Sequence, residues 1–347
     1  MTSDLWIKRV LRGAPLILIG FLIGVLVSSI PIGFQSDAPS ETRVQALFEN
    51  YFHEPFSSID QIEALTGGMS KQVWKVTFNG KEYVLKLFRE KDQILSMLQE
   101  GYYTALAAAH EIGPALLFLD LENQGMIQEY VHTDKEKNST AFAMRKLQSL
   151  HQLIGYYPYT SFERRVSALR ELNAPVIAPL KEALKRAASM KRNSAISLIH
   201  GDFHSGQIVG NDEEVMLIDF ADCRVGDGFY DVAKYAFGDP HPEEILKQYL
   251  NCEPSADDLN HFHEMTALVY LDIATNRYLH WASDQSQFHT EDIEKLYKKC
   301  KENKLALNYK PANNSLLEDT LVALAHFLSQ SQADTLQDPS DPAYRKD

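Results

Sequence analysis

Between Ile62 and Val131 the hydrophobic period of the chain switches from two residues to that of a helix and back, and this pattern limits the fold more than any other feature. Ile62–Leu65, Val73–Phe78 and Tyr83–Phe88 are short runs rich in β-branched and aromatic residues, punctuated by Thr66-Gly67-Gly68 and by Asn79-Gly80. Asn-Gly between two such runs supplies the positive-φ residues of a tight hairpin turn, so the second and third runs are expected to pair antiparallel. Helical spacing follows from Asp92 to about Glu111 and stops at Gly113-Pro114. Leu116–Leu121 and Met126–Val131 return to strand character around the polar turn Glu122–Gly125. The order β-β-β-α-β-β describes a small antiparallel sheet with one helix packed on it.

Beyond Val131 the helical period dominates. Residues 139–192 read as almost wholly helical, and so do 229–237, 242–250, 256–282, 290–303 and 314–331. Ile196–Ile199, Gln207–Val209 and Val215–Ile218 interrupt them as short apolar runs of strand type. The expected class is therefore α+β and bilobal, with a β lobe over 60–131 and a larger, mainly helical lobe over 132–331. A linker and short helix, with amphipathic spacing at Val44–Phe52, occupy 37–59, and the polar, proline-containing stretch 332–347 reads as a disordered tail.

The start of the chain differs in composition from the rest. Residues 13–36 carry no ionisable side chain, and Pro15–Phe34 is about 20 apolar residues, close to the length that spans a bilayer. A single transmembrane helix within an anchor over 1–36 is the favoured expectation. The rivals are a cleaved secretory signal ending at the small residues Ser28 and Ser29, and a buried soluble helix. The first 36 residues carry +2, from Asp4 against Lys8, Arg9 and Arg12, and the remainder −15, for a net charge of −13. An acidic body of that kind argues against a broad nucleic-acid-binding surface. Nothing in the sequence sets an oligomeric state.

Reactive side chains are densest in LIHGDFHSGQIVGNDEEVMLIDFAD, residues 198–222. One apolar strand delivers His200-Gly201-Asp202 into a loop and another delivers Asp219 from VMLIDF. A carboxylate at the end of an apolar strand calls for a cation, a donor or an exit to solvent. Two such acids, 17 residues apart and each at a strand end, suit metal-assisted phosphoryl transfer. One orients the attacking hydroxyl and takes its proton, while the other holds Mg2+ on the phosphates. In the first lobe, Lys86 of YVLKLF shares a strand face with Val84 and Phe88. Two readings stand for it: a snorkelling surface lysine, or a phosphate ligand paired with Glu100 of the following helix. Thr66-Gly67-Gly68-Met69-Ser70 permits close backbone approach to phosphate oxygens, and a plain turn equally well.

This order of parts resembles the aminoglycoside phosphotransferase and choline kinase superfamily of protein-kinase-like small-molecule kinases, over about residues 60–330. The most specific stretch is HGDFHSGQI followed by LIDFADCRVGDGFYDVA, which is similar to the family's HGDxHxxN and IDFxxxxxGDxxYDLA. LTGGMSKQVWKV with EYVLKL is similar to the nucleotide loop and lysine strand of choline and thiamine kinases. Gly113-Pro114 and GMIQEYV resemble the segment after the glutamate helix and the hinge to the second lobe. The resemblance implies a protein-kinase-like bilobal fold and ATP with Mg2+. It casts Asp202 as the catalytic aspartate, Asp219 as a metal ligand, Lys86 as the phosphate-binding lysine and Glu100 as its partner. Gly67, Gly68 and Ser70 fall in the nucleotide loop, and main-chain groups near Gln128, Glu129 and Tyr130 in the adenine hinge. His200 and Asp231 correspond to residues that brace the catalytic loop. His204 corresponds either to a structural hydrogen-bonder or to a substrate contact. One position departs from the pattern: the family's metal-binding Asn is Gln207, which offers the same amide oxygen one methylene further out and either replaces it or weakens a metal site.

Only 11 residues separate Asp219 from Asp231, too few for a peptide platform, so the expected acceptor is the hydroxyl of a small molecule. The acidic body suits a cationic one, of the choline, ethanolamine, aminoglycoside or thiamine type. Tyr278 and Trp281, with Tyr270 and Asp272 on the same helix, have the spacing of a cation–π pocket and equally of a core stripe. Two other classes were weighed: a metallohydrolase using the HxDxH of 200–204 and the HxH of 261–263, which lacks a wider ligand context, and a membrane-tethered pseudokinase that binds nucleotide without catalysis. Orientation at the membrane is pulled both ways. The basic flank puts the N-terminus in the cytoplasm and the body across the membrane. The need for ATP, and the three cysteines Cys223, Cys252 and Cys300 with no CxxC pair, favour a single-pass anchor with a cytoplasmic catalytic domain.

Overall fold

The computed structural model describes residues 40–65, 71–88, 94–133, 140–153, 178–189, 196–211, 214–283, 290–307 and 316–335. The chain divides into two units, Met1–Val131 and His132–Asp347.

In the first unit, α1 (Ser40–Phe52) precedes β1 (Gln61–Leu65), β2 (Lys71–Phe78) and β3 (Lys81–Phe88); α2 (Ile94–Ala109) follows, and then β4 (Leu116–Asp120) and β5 (Gly125–Glu129). The five strands form one sheet in the order β1-β2-β3-β5-β4, antiparallel at every pairing. Asn79 at φ 50° and Gly80 at φ 69° close the two-residue turn between Phe78 and Lys81, the mirror-image turn that matches strand twist. Alternation along β3 then sorts its side chains between two faces. Leu85 and Leu87 pack with Val44, Leu47 and Phe48 of α1, and Phe88 packs with Met97 of α2 and Met126 of β5. Lys86 shares the α2 face.

Helix α1 begins at Ser40, earlier than the amphipathic spacing from Val44 predicts. The cause is Arg43. It is buried, and its guanidinium donates to the main-chain oxygens of Phe88, Asn123 and Gln124, so the first turn is drawn onto the sheet. Gly125 admits that contact, since a Cβ there would lie 2.7 Å from Leu47 Cδ2.

The second unit contains α3 (Thr140–His151), α4 (Ala178–Ser189), β6 (Ile196–Ile199), β7 (Ile208–Val209), β8 (Met216–Leu217), β9 (Arg224–Asp227), α5 (Gly228–Tyr235), α6 (Pro242–Leu250), α7 (Ala256–Ser283), α8 (Thr290–Ala306) and α9 (Leu316–Thr335). Its core surrounds α7, where Ala267, Tyr270, Leu271 and Tyr278 pack against Leu184 of α4, Leu296 and Cys300 of α8 and Leu321 of α9. Packed by helices on several sides, α7 has no single apolar stripe. Strand β9 was not anticipated. Its sequence, RVGD, has no apolar run, and it forms because β6 pairs with it from Ile196↔Asp227 to Ile199↔Arg224. A Cβ at Gly226 would stand 2.6 Å from Ile199 Cδ1, so a side chain there would have to displace the end of Ile199. Cys223 and Cys300 are buried, and burial pushes both thiols up, Cys300 to about 12.

The expectation of a single-pass membrane protein is corrected. Among the described residues no helix is long and apolar enough to cross a membrane. The segment on which it rested, residues 15–34, lies outside the described residues, as do Gly67, Gly68 and Ser70 of the glycine turn and 336–347 of the tail expected over 332–347, whose first residues instead continue α9 to Thr335.

Candidate active site

Strand β6 ends at His200-Gly201-Asp202, and the local backbone is set by a carboxylate one helix away. Asp231, on α5 and wholly buried, accepts from His200 N at 2.6 Å and from Gly201 N at 2.8 Å. His151 of α3 lies 3.1 Å from the same carboxylate through Nε2, and its Nδ1 is 2.8 Å from the Tyr249 hydroxyl. Burial pushes the Tyr249 hydroxyl up to about 12, so it stays protonated beside the His151 ring. Burial works to raise the Asp231 carboxyl. The His151 hydrogen bond and charge, the charge of His200 and the Gly201 amide outweigh it and hold the group below the usual carboxylate range. Gly201 sits at φ +83°, and a Cβ would meet Arg224 Nη1 and Asp222 O at 2.2 Å, so glycine is required. His200 is buried with Nε2 on Ile218 O at 2.9 Å, which braces this loop against the end of β8.

Asp202 emerges from the braced turn with 39% of its side chain exposed. Lys234, one turn beyond Asp231 on the same face of α5, places Nζ 3.1 Å from Asp202 Oδ1. Oδ2 faces His204 Nε2 at 3.8 Å, beyond hydrogen-bonding range. His204 Nδ1 accepts from Gly206 N at 3.1 Å, which leaves the ring proton on Nε2. Burial, with the charges of Lys234 and His200, lowers its pKa against the pull of Asp202 and Asp219, so the ring is neutral at neutral pH.

The hairpin of β7 and β8, in register Ile208↔Leu217, sets Gln207 beside Ile218 and Asp219, and Ile218 N donates to Gln207 O at 3.0 Å. Gln207 Nε2 consequently lies 3.5 Å from Asp219 Oδ2 and 3.3 Å from His204 Nε2. Asp219 itself is at φ 65°, ψ 63°, a left-handed conformation that a non-glycine residue adopts at a cost of about 1–2 kcal/mol. Asp202, His204, Gln207 and Asp219 thus lie together in one cluster of polar side chains, supported from beneath by His200 and Asp231.

In the first unit, Lys86 Nζ stands 2.9 Å from Glu100 Oε1, and a second lysine, Lys71, stands 2.7 Å from Oε2. At the hinge, Glu129 N donates to Ala115 O at 3.0 Å and Tyr130 N to Glu82 O at 3.4 Å. The Gln128 side chain is buried on Thr104 Oγ1. Two candidate substrate residues lie in the interior. Asp272 is 2% exposed and accepts from the Tyr230 hydroxyl at 2.6 Å, and Tyr278 is 3% exposed within the core around α7, as the core-stripe alternative describes. The side chain of Trp281 is outside the described set. The histidines weighed as metal ligands have other partners, His200 on Ile218 O and His261 on Asp227.

Three site residues escaped the sequence reading. Lys234 was detectable, since it stands three positions after Asp231 on one helix. Lys71 carried a weaker signal, two residues from Val73 and therefore on the same strand face as the residue that pairs with Lys86. His151 gave none, since its partner is 80 residues away.

The profile of the phosphotransferase enzyme family designated APH matches residues 61–257, more than half of the chain. The chain belongs to the APH phosphotransferase family. Solved structures show the same two-unit fold, a small antiparallel sheet and a helical lobe, at low sequence identity. The choline/ethanolamine kinase family protein of Mesorhizobium loti superposes with a TM-score of 0.61 at 16% identity, covering 82% of this chain and 99% of that one. Choline kinase LicA of Streptococcus pneumoniae gives 0.52 at 16% identity over 84% and 99%. Amicoumacin kinase hAmiN, in complex with AMP-PNP, Ca2+ and Ami, gives 0.55 at 14% identity over 80% and 96%. No curated protein sequence matched this member of the APH family.

The cap of α5 in this APH-family chain is pH-sensitive. Asp227 caps α5 by accepting from Phe229 N at 2.9 Å, and its other oxygen is 2.6 Å from His261 Nε2 on α7. The Asp227 hydrogen bond raises the His261 pKa above 6.5; burial opposes, and the charges of Asp227 and Glu264 add to the rise. A raised folded pKa gives stability that is complete below the unfolded value of about 6.5 and is lost as pH climbs through the folded value. The expected NMR titration midpoint of His261 therefore lies above 6.5. The parent should lose stability relative to His261→Gln as pH is raised across it.

Proposed function

We propose that the chain transfers the γ-phosphoryl group of ATP to the hydroxyl of a small acceptor. The observation that carries this reading is the polar cluster from Asp202 to Asp219, in which the partly exposed carboxylate keeps one oxygen on Lys234 and holds the other 3.8 Å from His204 Nε2, beyond a hydrogen bond. Asp202 Oδ2 would accept the hydrogen bond of the acceptor hydroxyl and then its proton as the oxygen attacks phosphorus in line. Lys86, fixed by Glu100, would hold the phosphates. The amides of Glu129 and Tyr130 donate to Ala115 O and Glu82 O, so adenine would be met by other main-chain groups near Gln128, Glu129 and Tyr130.

A divalent cation fits the donor set. Asp219 offers a carboxylate and Gln207 an amide oxygen, hard ligands of the kind Mg2+ takes. Turning the Gln207 amide half a revolution would set Oε1 toward Asp219, with His204 Nε2–H as donor to it. The metal, when bound, neutralises charge on the phosphates.

Charge and family favour a cationic acceptor. The excess of 47 acidic over 34 basic residues attracts cations, and the similar structures include a choline kinase, a choline/ethanolamine kinase family protein and an amicoumacin kinase. The test is a screen of ATP–Mg2+ against amino alcohols, aminoglycosides and thiamine-like alcohols. Phosphorylation of one of them is the expected result. Nucleotide binding with no transfer to any member would favour the second reading, a nucleotide-binding module without catalysis, for which the longer side chain of Gln207 is the specific observation.

A further inference from the structure

The Lys71, Lys86 and Glu100 triad has a directionality that a simple lysine–glutamate pair lacks. The Glu100 side chain is wholly buried, whereas each lysine keeps 8% of its side chain exposed. The carboxylate is therefore the deepest member of the triad, and the two lysines are the members that keep any exposure. Both lysines rise from one face of the sheet, because Lys71 pairs with Phe88 and Lys86 with Val73 in adjacent positions of the β2–β3 ladder. The ring of Phe88 backs Lys71 Nζ at 5.8 Å. Bonded to the two oxygens of one carboxylate, the ammonium nitrogens are held a few ångströms apart. Adjacent phosphates of a nucleoside polyphosphate span such a separation, and each ammonium can donate to more than one oxygen.

We propose that Lys71 is a second ligand of the nucleotide polyphosphate, acting beside Lys86, an assignment that rests on the ATP reading above. Lys71 then touches phosphate itself, rather than serving only to hold Glu100 in place for Lys86. Those two roles separate in a double-mutant cycle. If Lys71 acts only through Glu100 and Lys86, its removal has no effect once Lys86 is gone. If it binds phosphate directly, its removal costs affinity in both backgrounds.

The experiment is equilibrium titration of the full chain and of Lys71→Gln, Lys86→Gln and the double variant with ATP–Mg2+, and separately with adenosine. Expected for Lys71→Gln is a loss of about tenfold in ATP affinity, the size of one charge-assisted hydrogen bond, with adenosine affinity unchanged. The same loss should recur in the Lys86→Gln background, and Lys71→Arg should bind ATP like the parent. Parental ATP affinity in Lys71→Gln overturns the proposal, as does a double variant no weaker than Lys86→Gln. An equal loss of adenosine and ATP affinity, the mark of disturbed packing, also overturns it. In each of those cases the ATP reading survives. A parent chain that binds no ATP removes that reading together with this one.

Discussion

Asp202→Asn lowers turnover by about a thousandfold and leaves the affinity for ATP–Mg2+ close to that of the parent. The size is that of a positioned general base. The substitution is nearly isosteric, and the asparagine oxygen can still accept from Lys234, so the turn held by Asp231 keeps its shape. What disappears is the proton acceptor at Oδ2. Removing a negative charge where a phosphate must approach also works against any loss of nucleotide affinity. Steady-state rates with the best acceptor from the screen, together with an ATP titration and a thermal melt, check the prediction. Turnover within threefold of the parent would sink the assignment of Asp202. A parallel collapse of ATP affinity or melting temperature would instead give the residue a structural role.

The same loop system shows how the site is held. Asp219 occupies a left-handed backbone position that is unfavourable for a side chain with a Cβ. Such a conformation persists where the surroundings over-determine it. Here Ile218 N is fixed on Gln207 O before it, and after it Phe220 is buried with its ring 5.3 Å from that of His200. Backbone geometry, more than side-chain choice, therefore sets which way the Asp219 carboxylate faces.

How much of this was legible depended on whether a signal was local. The Asn79-Gly80 turn, the strand pairing around it and the helices after Phe229 are written in short-range patterns, and the structure follows them to within a few residues. The cluster at 198–222 was legible for a similar reason, because the β7–β8 hairpin returns the chain to its own start within a dozen residues. Strand β9 and the first turn of α1 were not, since each depends on a distant partner. RVGD is a strand only because β6 lies beside it, and Arg43 is a helix residue only because carbonyls 45 and 80 positions away accept from it. Asp272 and Tyr278 show a different limit. The spacing of Tyr278 from Asp272 and Tyr270 is helical, and periodicity cannot tell a face that lines a pocket from one that meets other helices. Packing by α4, α8 and α9 decides it.

Asp231→Ala should be the most destabilising single change in the second unit, at about 3–5 kcal/mol. That is the range for removing one partner of a buried charged network. The substitution leaves His200 N and Gly201 N as buried donors without their acceptor, strips His151 of its carboxylate and opens a void beneath the catalytic turn. Asp231→Asn keeps one acceptor oxygen and should cost less. A pH dependence distinguishes these losses from simple cavity formation. The folded Asp231 carboxyl lies below its ordinary range, so its contribution is complete above the unfolded pKa of about 3.9 and disappears as pH falls through the lower folded value. The parent should therefore lose stability on acidification below pH 4, whereas the part of that slope owed to Asp231 is absent in both variants. Denaturant midpoints measured from about pH 2 to 7 test this. Identical acid slopes in the parent and Asp231→Asn would show that the carboxylate does not carry the stability of the loop, and that its hydrogen bonds to the His200 and Gly201 amides are replaceable by a neutral side chain.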